Sequence, residues 1–137
     1  MKYYLFLIVL FSFSCKPEKE FYKGNCDSVV ELNQRKYNNA SSDYFQISNA
    51  EIIGDCLNIT IVASGCSGDS WEVELINSKA IAESNPVQKY FKLILNNQEL
   101  CHAVISKIVS FNLNPSKIGD DFIINLDSWD GSLLFEE

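Results

Sequence analysis

The chain has 137 residues, 47% of them hydrophobic and 21% charged, with 11 basic against 18 acidic residues and a net charge of −7. That size and balance build one domain around one core. An acidic chain without a basic cluster repels phosphate backbones, which excludes nucleic acid as a partner.

Behind Lys2, residues 3–13 form an apolar run of eleven residues, too short to cross a bilayer as a helix and built like a targeting segment. Ser12-Phe13-Ser14-Cys15 follows. This tetrad resembles the lipobox of bacterial lipoproteins, in which signal peptidase II cleaves before a lipidated cysteine. Ser12 departs from the usual leucine, and Leu10 lies two residues earlier. The resemblance implies a signal peptide over 1–14, a lipid on Cys15, and attachment to the outer membrane of a bacterial envelope, on its periplasmic or surface side. A diacylglyceride with a further acyl chain holds firmly, because each buried methylene contributes about 0.8 kcal/mol. An ordinary secretory signal with an incidental cysteine is the plainer alternative. Residues 15–25 read as a tether: Pro17 and the charges of Lys16, Glu18, Lys19 and Glu20 resist packing. Acidic residues after the anchoring cysteine resemble surface-export signals of some Gram-negative bacteria, but a plain linker explains them as well. The folded domain is expected over 26–137.

Residues 21–39 are the least regular part of that domain. Val29, Val30 and Leu32 could start a strand, or a helical turn could run through 29–36. After the polar loop 38–43, residues 44–53 are extended. Gly54-Asp55 then marks a two-residue hairpin, with glycine supplying positive φ at the first central position. Leu57, Ile59, Ile61 and Ala63 alternate with polar or smaller neighbours, the period of a half-buried strand. Trp71, Val73 and Leu75 alternate with Glu72 and Glu74 in a third strand ending near Ile76. Residues 77–88, with Pro86, read as a connection.

Phe91, Leu93 and Leu95 point inward along the next strand, and Asn96-Asn97 suits a turn. Residues 100–113 form a long extended run. Ala103, Ile105, Val109, Phe111 and Leu113 keep one phase, and Lys107 interrupts it, which predicts a bulge or a change of sheet near Ser106-Lys107. Beyond Asn114-Pro115-Ser116, Phe122, Ile124 and Leu126 alternate, residues 127–131 turn, and residues 133–135 return. About seven short strands punctuated by turns predict an all-β protein: an antiparallel β-sandwich of immunoglobulin-like size, with a small β-barrel as the alternative.

Five cysteines are present. Setting Cys15 aside leaves Cys26, Cys56, Cys66 and Cys101, an even number in an exported domain, which implies two disulfides with three possible pairings. Cys26–Cys56 with Cys66–Cys101 is the preferred pairing. Zinc is a poor competitor. No CxxC pair occurs, and the sole histidine, His102, adjoins Cys101, so the two would point to opposite faces of a strand.

Three blocks, GDCLNITIVASGC at 54–66, SNP at 84–86 and ELCHAV at 99–104 running on to SFNL at 110–113, resemble as a set a family of small Gram-negative lipoproteins of unknown function. The resemblance covers roughly residues 45–135 and implies export, a lipid anchor and a cysteine-containing β-rich domain. It carries no catalytic residue. Asn112 stands where the family's aspartate precedes the leucine.

The chemistry-bearing residues are sparse. His102 would have to serve any Ser-His-Asp triad, yet no nucleophile elbow or glycine-rich oxyanion loop accompanies it. Glu72 and Glu74 could form a hydrolytic carboxylate pair, but two residues apart they suit the solvated face of a strand. Asp120 and Asp121 with Asp127 and Asp130 could bind calcium, although no EF-hand spacing appears and turn residues explain them. Among the aromatics, Tyr44, Tyr90, Trp71 and Trp129 could line a sugar or peptide patch. Trp71 alternates with glutamates and reads as core, whereas Trp129 lies in a turn. Asp27-Ser28-Val29 resembles an O-glycosylation acceptor of some Gram-negative bacteria. Asn39 and Asn58 head N-glycosylation sequons that a bacterial signal makes irrelevant.

These residues predict a non-catalytic envelope lipoprotein that binds or supports another envelope component, with no catalytic residue, metal or cofactor. Its expected partners are the membrane, through the lipid on Cys15, and an envelope protein or glycan, with Trp129, Asp127 and Asp130 as the candidate contact patch. A small envelope hydrolase using acidic residues is the alternative. An enzyme would need a polar cleft with displaced titration, whereas a binding module needs only a surface.

Overall fold

The computed structural model describes residues 24–117, 119 and 121–136. The expected signal peptide, most of the tether, Cys15 and Asp120 lie outside the described residues. The described residues form a β-sandwich of nine strands in two sheets, with one short helix and no closed barrel. The strands are β1 (Ser28–Val29), β2 (Glu31–Leu32), β3 (Gln46–Ile53), β4 (Cys56–Gly65), β5 (Glu72–Ala82), β6 (Val87–Asn96), β7 (Ala103–Asn112), β8 (Phe122–Leu126) and β9 (Ser132–Phe135). One sheet runs β1-β7-β4-β3 and the other β2-β5-β6-β8-β9.

The alternating residues meet between these sheets. Leu57, Ile59 and Ile61 of β4 are fully buried, as are Phe91 of β6 and Phe122 and Ile124 of β8. Trp71 is buried beside them and belongs to the core. At the β3–β4 hairpin Ile53 pairs with Cys56 across Gly54-Asp55, and Gly54 takes φ 59°, as the turn requires. Two disulfides pin the sandwich, Cys26–Cys56 and Cys66–Cys101, the preferred pairing of the three.

Both sheets are mixed. β1 runs parallel to β7, β2 to β5 and β6 to β8, while the hairpin neighbours are antiparallel. The irregular stretch at 28–39 resolves into two two-residue strands and the helix α1 (Gln34–Asn39). Asn33 caps this helix, its side chain accepting from the Lys36 N–H at 3.0 Å. The helix packs on β5, and its Lys36 pairs with Glu31 of β2 at 2.8 Å and with Glu74 of β5 at 2.6 Å.

Two expectations are corrected. β5 does not stop near Ile76 but continues to Ala82, with a register shift between Asn77 and Ile81. The polar Asn77 and Ser78 read as a connection, yet both are buried, and Asn77 Nδ2 donates to Ser116 Oγ at 3.0 Å. Nor is there a bulge at Ser106-Lys107, for β7 pairs with β4 without a break from Cys56–Asn112 to Gly65–Ala103. Lys107 keeps its inward phase because its ammonium group donates to the Gly68 carbonyl at 2.6 Å.

Candidate functional site

Three features rise above a well-packed sandwich. The first is the outer face of the β1-β7-β4-β3 sheet. With Val109 and Phe111 of β7 buried, Val104, Ser106, Ile108 and Ser110 point outward. Opposite them on β4 stand Ser64, Val62, Thr60 and Asn58. β3 adds Gln46, Asn49, Glu51 and Ile53. Glu51 is the only charged side chain among these twelve positions. Val104 is 78% exposed, Ile108 63% and Ile53 60%. Exposed β-sheet faces ordinarily carry charge, and a charge-poor, partly aliphatic face is the composition of a contact surface.

The second feature is the loop after β4. The Glu99 carboxylate accepts from three consecutive backbone N–H groups, those of Cys66, Ser67 and Gly68, and from Ser70 Oγ at 3.0 Å. Such a run of N–H groups forms an anion-binding nest. The Gly68 N–H above all, then those of Cys66 and Ser67, hold the carboxyl down to about 2. Gly65 is needed here, since a Cβ on it would come 2.4 Å from Glu99 Oε2 and 3.1 Å from the Trp71 ring. The buried Nε1–H of Trp71 has no hydrogen-bond partner among the described residues.

The third is a cavity of about 260 Å³ between β5, β6 and the 3-10 turn Asn114–Ser116. Leu32, Ile81 and Pro115 supply its apolar wall. Lys89 lies at its floor, only 3% exposed. Its ammonium group donates to the Ser116 carbonyl and sits 3.9 Å from the centre of the Phe122 ring. Burial pushes its pKa down.

The residues singled out in the sequence are scattered. Trp129 is half-buried against the core, with exposed Asp127 and Asp130 on either side of it in the β8–β9 turn. Its ring lies over Gly131. Glu74 is held by Lys36, and Glu72 accepts from Asn96 Nδ2 at 2.9 Å, so both glutamates are tied into the sheet's outer face. His102 is exposed, just before β7. Tyr44 is 78% exposed, while Tyr90 is half-buried on β6. Ser28 is part of β1, in register with Phe111. Asn112 is buried and turns the chain, its Oδ1 accepting from the Asn114 N–H at 2.8 Å. Among the described residues no three His, Cys, Asp or Glu side chains lie together as metal ligands would. No helix among them is long and apolar enough to cross a membrane.

Sequence reasoning missed Glu99 and Lys89. Glu99 left no side-chain signal, because its partners are mostly backbone N–H groups. Lys89 did leave one: it occupies the inward phase of Phe91, Leu93 and Leu95, where an aliphatic residue would be expected.

No protein-family model matches the chain, and no curated protein matches it. Solved structures share the fold. A protein of unknown function (DUF1344) from Bacteroides vulgatus superposes with a TM-score of 0.52 at 18% identity, over 80% of this chain and 56% of that one. A NigD-like immunity protein from Bacteroides caccae superposes with a TM-score of 0.56 at 10% identity, over 80% of this chain and 59% of that one. The chain thus spans less than two thirds of the length of either structure, and the likeness is one of fold.

Proposed function

We propose that this chain is a lipid-anchored protein of the bacterial cell envelope that works by binding another envelope protein, not by catalysis. The observation that carries the reading is the outer face of the β1-β7-β4-β3 sheet, where Val104 and Ile108 stand exposed among twelve positions with one charge. A face of that composition loses little on desolvation and gains from apolar burial, so it suits a folded protein surface better than a glycan, which stacks on aromatic rings. An immunity role, by which the Bacteroides caccae neighbour is described, fits such a protein. The lipobox-like Ser12–Cys15 supports the anchor.

A photo-crosslinking residue at Ile108, expressed in a bacterial envelope, tests the binding face. Ile123, on the opposite sheet, is the control position. One defined protein adduct is expected at Ile108 and absent at Ile123, and it should vanish when Val104 is changed to lysine. The same adducts at both positions would reject the face. Labelled palmitate tests the anchor: uptake that persists in Cys15→Ser would reject it.

A further inference from the structure

We propose that the cavity over Lys89 binds a small aliphatic carboxylate. This goes beyond the protein-binding role, because the cavity lies between β5, β6 and the Asn114–Ser116 turn, away from the outer face of the other sheet.

Charge is the first argument. In a chain of net charge −7, the described residues that line the cavity include two lysines, Lys89 at the floor and exposed Lys79 at the rim, and no carboxylate. Lys89 is 3% exposed and forms no ion pair among the described residues. A buried ammonium without a counter-ion is unfavourable, and burial lowers its proton affinity accordingly. The protein meets this demand in part, with the Ser116 carbonyl and the face of Phe122. An ammonium group has three donors, which leaves one for an anion entering the cavity.

Shape and lining set the rest of the ligand. Asn77 and Ser116 satisfy each other at 3.0 Å, and Asn77 Oδ1 also accepts from the Lys79 N–H at 2.7 Å, so these groups ask little of a guest. Leu32, Ile81 and Pro115 offer only hydrocarbon. A volume of about 260 Å³ equals that of roughly nine liquid waters, room for about as many heavy atoms. A carboxylate head on Lys89 with a short hydrocarbon tail fills such a space, whereas a sugar or phosphate would leave its polar groups unpaired.

Hexanoate is the probe. Titration into the full chain, followed by amide chemical shifts, should move residues of β5, β6 and the Asn114–Ser116 turn. Hexanol, with the same tail and no charge, should bind about tenfold more weakly or worse, the loss expected of one charge-assisted hydrogen bond. Lys89→Met should weaken hexanoate by a similar factor. Ile81→Trp, at a partly exposed wall position, should block the cavity and abolish the shifts while leaving the melting temperature unchanged. That second variant keeps the test decisive should Lys89→Met fail to fold. Hexanoate shifts that are absent, that are matched by hexanol, or that persist in Ile81→Trp would overturn the proposal.

Discussion

Both oxygens of the Glu99 carboxylate lie 3.0 Å from the backbone nitrogen of Gly68. With the N–H groups of Cys66 and Ser67 also directed at it, this side chain holds the loop after β4 in one shape.

That contact sets a pH dependence. The folded carboxyl titrates at about 2 against an ordinary value of 4.5, so the unfolded chain binds its proton more readily. The stabilisation is therefore complete above about 4.5 and is lost as pH falls toward 2. Glu99→Gln should melt below the wild type at neutral pH, and the gap should close across that window. A gap that stays constant from pH 7 to pH 2 would show that the charge is not what the loop requires.

The Cys66–Cys101 disulfide acts on the same loop and closes 35 residues of chain. Replacing both cysteines with serine should cost about 3.8 kcal/mol by loop-closure entropy, read as a lower urea midpoint. Because Cys66 also donates to Glu99, adding Glu99→Gln to that variant should cost less than it does alone. Strict additivity would separate the two devices.

Gly131 tests the turn around Trp129. A Cβ there would come 2.4 Å from Cη2 of the indole, closer than packed atoms tolerate. Gly131→Ala must push the ring outward, so tryptophan emission should shift to the red and the melting temperature should fall. Overpacking of this kind costs about 1–3 kcal/mol. Trp129→Ala should also destabilise, since the ring is half-buried against the core. A Trp129→Ala protein that melts like the wild type would make the residue a surface contact.

The sandwich was legible wherever one face of a strand meets the core. Leu57, Ile59 and Ile61, or Phe122, Ile124 and Leu126, announce themselves because burial acts on every second side chain. The even number of cysteines left after Cys15, read with the expected signal peptide, made two disulfides legible. The parallel pairings were not legible: β6 joins β8 across β7, and no local pattern records a partner that far along the chain. The candidate sites were harder still. Asn77 looked like loop because its hydrogen-bond partner, Ser116, lies 39 residues away. Lys107 looked like an interruption because its acceptor is a backbone carbonyl. The charge-poor outer face emerges only once β3, β4 and β7 are set side by side, since each strand alone shows just a few outward residues between its core positions.

Neither sheet is continuous in sequence. β1, β3, β4 and β7 make one, and β2, β5, β6, β8 and β9 the other, so the chain alternates between them. Cut within 97–102, it yields a front piece holding six strands and a rear piece holding β7, β8 and β9. Each piece then owns part of both layers and completes neither. The halves are obligate complements, held across the cut by Cys66–Cys101 when the break falls before residue 101. A nick there would leave a two-chain protein of unchanged architecture, which makes this loop the natural place to split the molecule for a reassembly reporter.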